Sequence, residues 1–298
     1  MSKFKQTLVL LIRFGLSFIA MFAAYILSLQ VVGQTDMTLT PEETRQAGMA
    51  LIFVSLIFSL VLSFIILRSS WYGLKLIGAV FLVQFGVETF MAQIETLYFN
   101  SAVQMGTAEF VGIVAAGALR ALIFAPLAVL IFGKLKKPEL PEEESVVAVS
   151  SDFAKRFLVV TLIYVFIYFL FGYFVAWQWE ETRLYYSGST AIKPVLVHFR
   201  DLFFSEDPFI LPFQLLRGAL WTLFATLIVR MIQAKRWETA LAVAFTFAVL
   251  FSLPLGLFPN PIMPPPVARS HFIEISTSML LFGGIAGWIL YRQDKSNS

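Results

Sequence analysis

The sequence predicts an all-α, polytopic membrane protein with about eight transmembrane helices. Three observations carry that prediction. The 298 residues are 58% hydrophobic and 14% charged, whereas a soluble domain carries roughly 45–50% and 25%. Apolar runs of about 20 residues, long enough to cross a bilayer, recur along the whole chain. Lys and Arg gather in alternate short loops, the pattern of cytoplasmic loops.

The first run, 8–32, follows Lys3 and Lys5. It is too long for the apolar core of a secretory signal and has no small-x-small cleavage site, so it reads as an uncleaved span. Ser2 precludes N-myristoylation. The remaining spans are expected near 47–67, 73–99, 109–132, 156–177, 209–232, 238–258 and 271–291. Arg68 and Lys75, Lys134, Lys136 and Lys137, Lys155 and Arg156, Arg230, Lys235 and Arg236, and Arg292 and Lys295 fall on one side. Asp36, Glu42, Glu43, Glu95 and Glu206 fall on the other. Both termini are therefore expected in the cytoplasm, with the chain integral to the plasma membrane. Trp71, Trp177, Trp179, Trp237 and Trp288 sit at span ends, as an interfacial belt requires.

A hydrophilic stretch, 134–152, separates a first four-span half (1–133) from a second (153–298). Aligning Trp71 with Trp237 matches Gly78-Ala79-Val80-Phe81 to Ala244-Phe245-Thr246-Phe247, and Gln30 matches Gln178. Each half has an even number of spans, so copies related in this way would be two parallel four-helix repeats. The largest outer segment, 178–208, is too short for an independent domain. Within it, Val195, Leu196, Phe199, Leu202 and Phe203 recur at helical spacing, which predicts a short interfacial helix. The segment Glu180-Glu181-Thr182-Arg183 reads as a solvated loop. The next outer loop carries Pro259, Pro261, Pro264, Pro265 and Pro266 and should be stiff.

Glu88, Arg120 and Arg217 each fall inside an apolar run. At about 1.5 Å per residue they lie roughly 12–16 Å from the outer end of their spans, near the middle of a ~30 Å core. A lone charge there costs at least ~2.5–3.5 kcal/mol, so such residues pair or line a polar cavity. Gln84, Glu88 and Glu95 recur at four and seven residues and are expected on one face of the third span. Glu88 is expected to pair with Arg120 or Arg217. One carboxylate does not neutralise two guanidinia, which stay protonated. Arg120 and Arg217, with Glu88, Gln84 and Gln214, are therefore the candidate ligand-binding residues. An anionic small molecule or lipid headgroup is the expected ligand, since bidentate recognition of carboxylate or phosphate suits Arg.

His271 and Glu274 open the last span three residues apart. Such a pair acts as an acid and base, or shares a divalent metal. Together with Glu95 they are the catalytic candidates, and they are weak metal candidates; Glu109 is a further carboxylate near a span end. Cysteine is absent, which excludes disulfides and thiolate chemistry. There is no phosphate-binding loop, nucleophile elbow or His-Glu-x-x-His, and no cofactor is expected. A net charge of +3 gives no footing for nucleic-acid binding. Three functional classes stay open: an outward-facing binding site, as in a membrane-embedded enzyme, a secondary transporter of an anionic or lipid substrate, and a structural assembly subunit. The polar span residues Gln84, Glu88, Glu95, Arg120, Gln214, Arg217, His271 and Glu274 fall in the middle and outer parts of their spans, which favours the first. Oligomeric state is not legible.

Overall fold

The computed structural model describes residues 3–31, 40–137, 151–260 and 263–291. Most of the 134–152 linker, together with Asp36, Pro261, Arg292 and Lys295, lies outside the described residues. The chain is an all-α polytopic membrane protein, and among the described residues eight helices are long and apolar enough to cross a membrane. In chain order the helices are α1 (Lys3–Leu29), α2 (Pro41–Arg68), α3 (Gly73–Tyr98), α4 (Asn100–Val103), α5 (Thr107–Ile131) and α6 (Ser151–Phe174). They continue with α7 (Glu180–Ser187), α8 (Val195–Asp201), α9 (Ile210–Met231), α10 (Arg236–Leu257) and α11 (Pro265–Leu290). Among the described residues no strand forms. A single antiparallel bridge joins Ser69 to Ile232.

The last span starts at Pro265, six residues before the apolar run itself, because a helix starts readily at proline, whose missing N–H is an orphan there anyway. The expected interfacial helix of the outer segment is α8, which ends in a π turn at Leu202–Glu206. The segment read as a solvated loop is instead the first turn of α7, with Thr182 and Arg183 buried. Arg183 is held there by backbone carbonyls, its Nε donating to Thr190 O and its Nη1 to Trp177 O, both at 2.7 Å.

The chain divides into two compact units. The first comprises Met1–Glu139, Met231–Gln233 and Val249–Pro264; the second comprises Leu140–Arg230, Ala234–Ala248 and Pro265–Ser298. In the first unit α1 packs on α2 and α5, and α3 packs on α5. Small residues set the closest approaches. Ser17 and Ser63 hydroxyls meet at 2.9 Å between α1 and α2. A Cβ on Gly117 of α5 would overlap the Thr89 side chain of α3, so only glycine admits this contact.

In the second unit small residues also set close approaches. Thr161 and Thr222 hydroxyls lie 3.3 Å apart between α6 and α9, where a Cβ on Gly218 would come within 2.8 Å of Thr161 O. Gly283 and Gly287 seat α11 against Ala244 and Ala240 of α10. The unit's core is aromatic: Trp221, Phe247, Phe282 and Tyr164 pack ring to ring, with Trp221 and Phe247 centroids 4.7 Å apart. One further tie appears in both units. Arg13 in α1 donates to the carbonyl of Phe132 just past α5, and Arg156 in α6 donates to those of Ile289 and Tyr291 at the end of α11. In each case an arginine answers the orphan carbonyls at a helix C-terminus.

Candidate functional site

Glu88 sits near the middle of α3, where the helix loosens into a π turn over Gly86–Phe90. The Met91 N–H reaches back five residues to Gly86 O. Such a turn carries one extra residue and often accompanies a functional position. It also changes the expected face. Gln84 and Glu88 are both buried, whereas beyond Met91 no residue of α3 is, and Glu95 is half-buried. The extra residue breaks the regular four-and-seven spacing that put Glu95 on the same face as Glu88.

The carboxylate of Glu88 has two partners on the same oxygen. Tyr25 of α1 donates its hydroxyl to Oε1 at 2.7 Å, and Arg120 Nη2 of α5 lies 2.7 Å from that same Oε1. The expected pairing of Glu88 with one of the two arginines is thus made with Arg120. The guanidinium also lies over the Tyr25 ring, 4.1 Å from its centroid, a cation–π contact in a largely desolvated place. Gly117 makes this possible, since it lets α5 press against Thr89 one residue from Glu88 and brings Arg120, a turn further on, onto the carboxylate. The Gln84 amide nitrogen lies 3.6 Å from Met21 Sδ, and the Gln84 side chain also faces the Glu88 carboxylate.

The pair is one-armed. Glu88 Oε2, Arg120 Nε and Gln84 Oε1 are buried and have no hydrogen-bond partner among the described residues. The exposed pair at the start of α2 shows the two-armed alternative: Arg45 Nε donates to Glu42 Oε2 at 3.0 Å while its Nη2 donates to Oε1. In the buried pair, Tyr25 and the Arg120 Nη2 converge on Oε1 and the second arm is not made, its atoms being closed off from solvent.

Arg217 belongs to the second unit. It is 1% exposed, its Nη1 donates to Gln214 Oε1 at 3.2 Å, and the rings of Tyr164, Tyr168 and Phe213 surround it at 5.8–5.9 Å. Gln214 also accepts from Tyr164 OH at 3.4 Å.

The structure brings His271 and Glu274 together, with Nδ1 and Oε2 3.5 Å apart. It adds Tyr186 of α7, whose hydroxyl is 3.0 Å from His271 Nε2. Beside them Thr182 and Ser270 hydroxyls meet at 2.6 Å. These bonds tie α7 to α11. Glu95 and Glu109 lie in the first unit. Among the described residues no three His, Cys, Asp or Glu side chains gather closely enough to hold a metal ion.

Sequence reasoning missed Tyr25 and Tyr186. A tyrosine inside or beside an apolar run carries no signal that separates a ligand-facing hydroxyl from ordinary packing. Compared with known families, characterised proteins and solved structures, the chain matches none.

Proposed function

We propose that this membrane protein binds an anionic small molecule or lipid headgroup at the Tyr25–Gln84–Glu88–Arg120 cluster. The site is reached from the extracytoplasmic side of a plasma membrane in which both termini are cytoplasmic. The observation that carries the reading is the one-armed Glu88–Arg120 pair. A buried guanidinium keeps its charge, and leaving a buried hydrogen-bonding group unsatisfied costs about 1–3 kcal/mol. A purely structural clasp would be expected to close both arms, as Glu42 and Arg45 do. Arg217 with Gln214, in the second unit, is a separate cationic contact for such ligands.

Thermal unfolding in detergent tests the reading. A ligand that binds only the folded state stabilises it by RT ln(1 + [L]/Kd). Anionic lipids should raise Tm relative to zwitterionic phosphatidylcholine, and Arg120→Gln should abolish the increment. Equal behaviour of anionic and zwitterionic lipids would return the cluster to a structural role.

A secondary transporter of the same ligand is the second reading. It is favoured by the recurrence of one scheme of helix ties in both units, since carriers are commonly built from repeats. Ligand uptake into proteoliposomes separates the two.

A further inference from the structure

We infer that α8 and its π turn lie in the plane of the membrane surface, with Leu196, Phe204 and Phe209 sunk among the acyl chains of the adjoining leaflet. The partner of this surface is the hydrocarbon of the lipid, whatever the charge of its headgroups. The inference concerns the second unit alone and stands apart from the Glu88–Arg120 cluster.

Both ends of the segment are pinned to span ends. Ahead of α8, Tyr173, the last residue but one of α6, donates its hydroxyl to Lys193 O at 2.7 Å. After it, the Asp207 N–H reaches back to Leu202 O at 2.9 Å and the Ile210 N–H to Asp207 O at 3.1 Å. The π turn thus passes into α9 through a tight corner. A short helix fastened in this way between the end of one span and the start of the next runs along the membrane boundary and does not rise into water.

The side chains of the segment sort into three groups. Phe199 and Phe203 pack their rings on Phe169 of α6, with centroids 5.9 and 5.0 Å away, and His198 is buried beside them. The charged side chains are spent on one another. Lys193 meets Asp201 and Glu206 at 2.9 and 2.7 Å, and Arg200 turns its guanidinium onto Asp201 at 2.8 Å. What is left is apolar and uncovered: Leu196 is 81% exposed and Phe204 79%.

The surroundings decide what covers these side chains. Past the corner, Phe209 is 74% exposed and leads into the exposed flank of α9, Leu211, Leu215 and Leu216. In a span, such a flank meets lipid, so the stripe on α8 extends a surface that acyl chains already wet. A protein partner would call for a polar rim with hydrogen bonds to share. Here two cations and two carboxylates satisfy each other, which hydrocarbon requires and a partner protein does not. The backbone tolerates the position because a helix pairs its polar groups within itself. The same balance of charge leaves nothing to draw the helix toward anionic headgroups, the usual second attraction of an interfacial helix.

Site-directed spin labelling of the full chain in phosphatidylcholine vesicles tests the inference, since the absence of cysteine lets each label stand alone. Leu196→Cys and Phe204→Cys occupy exposed positions, so the label displaces no packed side chain. They are read against Ser189→Cys in an exposed loop and Leu223→Cys on the exposed flank well inside α9. Collision with oxygen, which concentrates among acyl chains, and with a water-soluble nickel chelate, which is excluded from them, gives the depth of each label. Labels at 196 and 204 are expected about 5–10 Å inside the headgroup boundary, between the depths of the two references. Replacing part of the phosphatidylcholine by phosphatidylglycerol should leave that depth unchanged. Strong nickel and weak oxygen collision at both positions would place the face in water and overturn the inference. Weak collision with both reagents would show the face covered by protein, a second copy or another chain, and would overturn it equally. A depth that increases with phosphatidylglycerol would overturn the claim that headgroup charge plays no part.

Discussion

Two side chains of opposite charge, Glu88 and Arg120, meet inside a membrane span because each is otherwise insupportable there. Breaking one partner strands the other. Glu88→Leu and Arg120→Leu should each cost about 3–5 kcal/mol of stability. The double substitution should cost clearly less than the sum, as contacting residues do. Thermal or denaturant unfolding of the four proteins in one detergent closes the cycle, and strict additivity would contradict the 2.7 Å contact. The partners were legible in the sequence because a charge inside an apolar run stands out. Their choice between Arg120 and Arg217 was not, because helix order does not give helix adjacency. Tyr25 was invisible for a different reason: a hydroxyl on an aromatic ring costs little in a span whether or not it meets a carboxylate.

At the scale of an element, α8 offers a pH test outside the spans. His198 is packed against the rings of Tyr173, Trp177 and Phe199. Burial pushes its imidazole below the ordinary value, against the opposing pull of Glu206 and Asp201, while Lys193 adds to the lowering. A depressed folded value means that the neutral form is the one the fold favours. The contribution of His198 is therefore complete above the unfolded value near 6.5 and is lost as pH falls through the lower folded value. Lys193 ion pairs with Asp201 and Glu206 at 2.9 and 2.7 Å. Glu206 and Asp201 hold its ammonium above the ordinary value, and Lys193 and Arg200 hold the Asp201 carboxyl below its own. The lowered Asp201 carboxyl and the raised Lys193 ammonium both favour the charged pair. Protection of the α8 amides from hydrogen exchange, corrected for the intrinsic rate, should fall as pH drops below the ordinary histidine value in the wild type, and His198→Phe should remove that dependence. The helical spacing of Val195, Leu196, Phe199 and Leu202 made α8 legible, but not its π ending, since nothing in Leu-Phe-Phe-Ser-Glu marks a five-residue turn.

For the whole molecule, eight spans were legible because hydrophobic length is the strongest signal a membrane chain carries. Span ends were less so: Pro265 begins α11 inside a proline-rich stretch that reads as loop. Arg13 in the first unit and Arg156 in the second each tie a helix to a neighbouring helix end, and Ser17–Ser63 and Thr161–Thr222 each join two helices by hydroxyls. The absence of cysteine makes orientation simple to measure. Ser189→Cys, in an exposed loop, should react with an impermeant maleimide on intact cells, and Ser145→Cys should react only after lysis. Labelling of Ser145→Cys from outside would reverse the assigned topology and, with it, the face from which a ligand arrives.

The loosened turn at Gly86–Phe90 also works as a spare residue. Elsewhere in a helix, deleting one position rotates everything beyond it by about 100° and moves a buried face into lipid. Within the π turn the same deletion returns the chain to ordinary α-helical phase and leaves both flanks where they were. Deleting Val87 should therefore lower the Tm less than deleting Leu82, because only the second deletion moves the flank beyond it out of phase. The cost that remains at Val87 is local: a buried side chain is lost and Glu88 is displaced from Arg120.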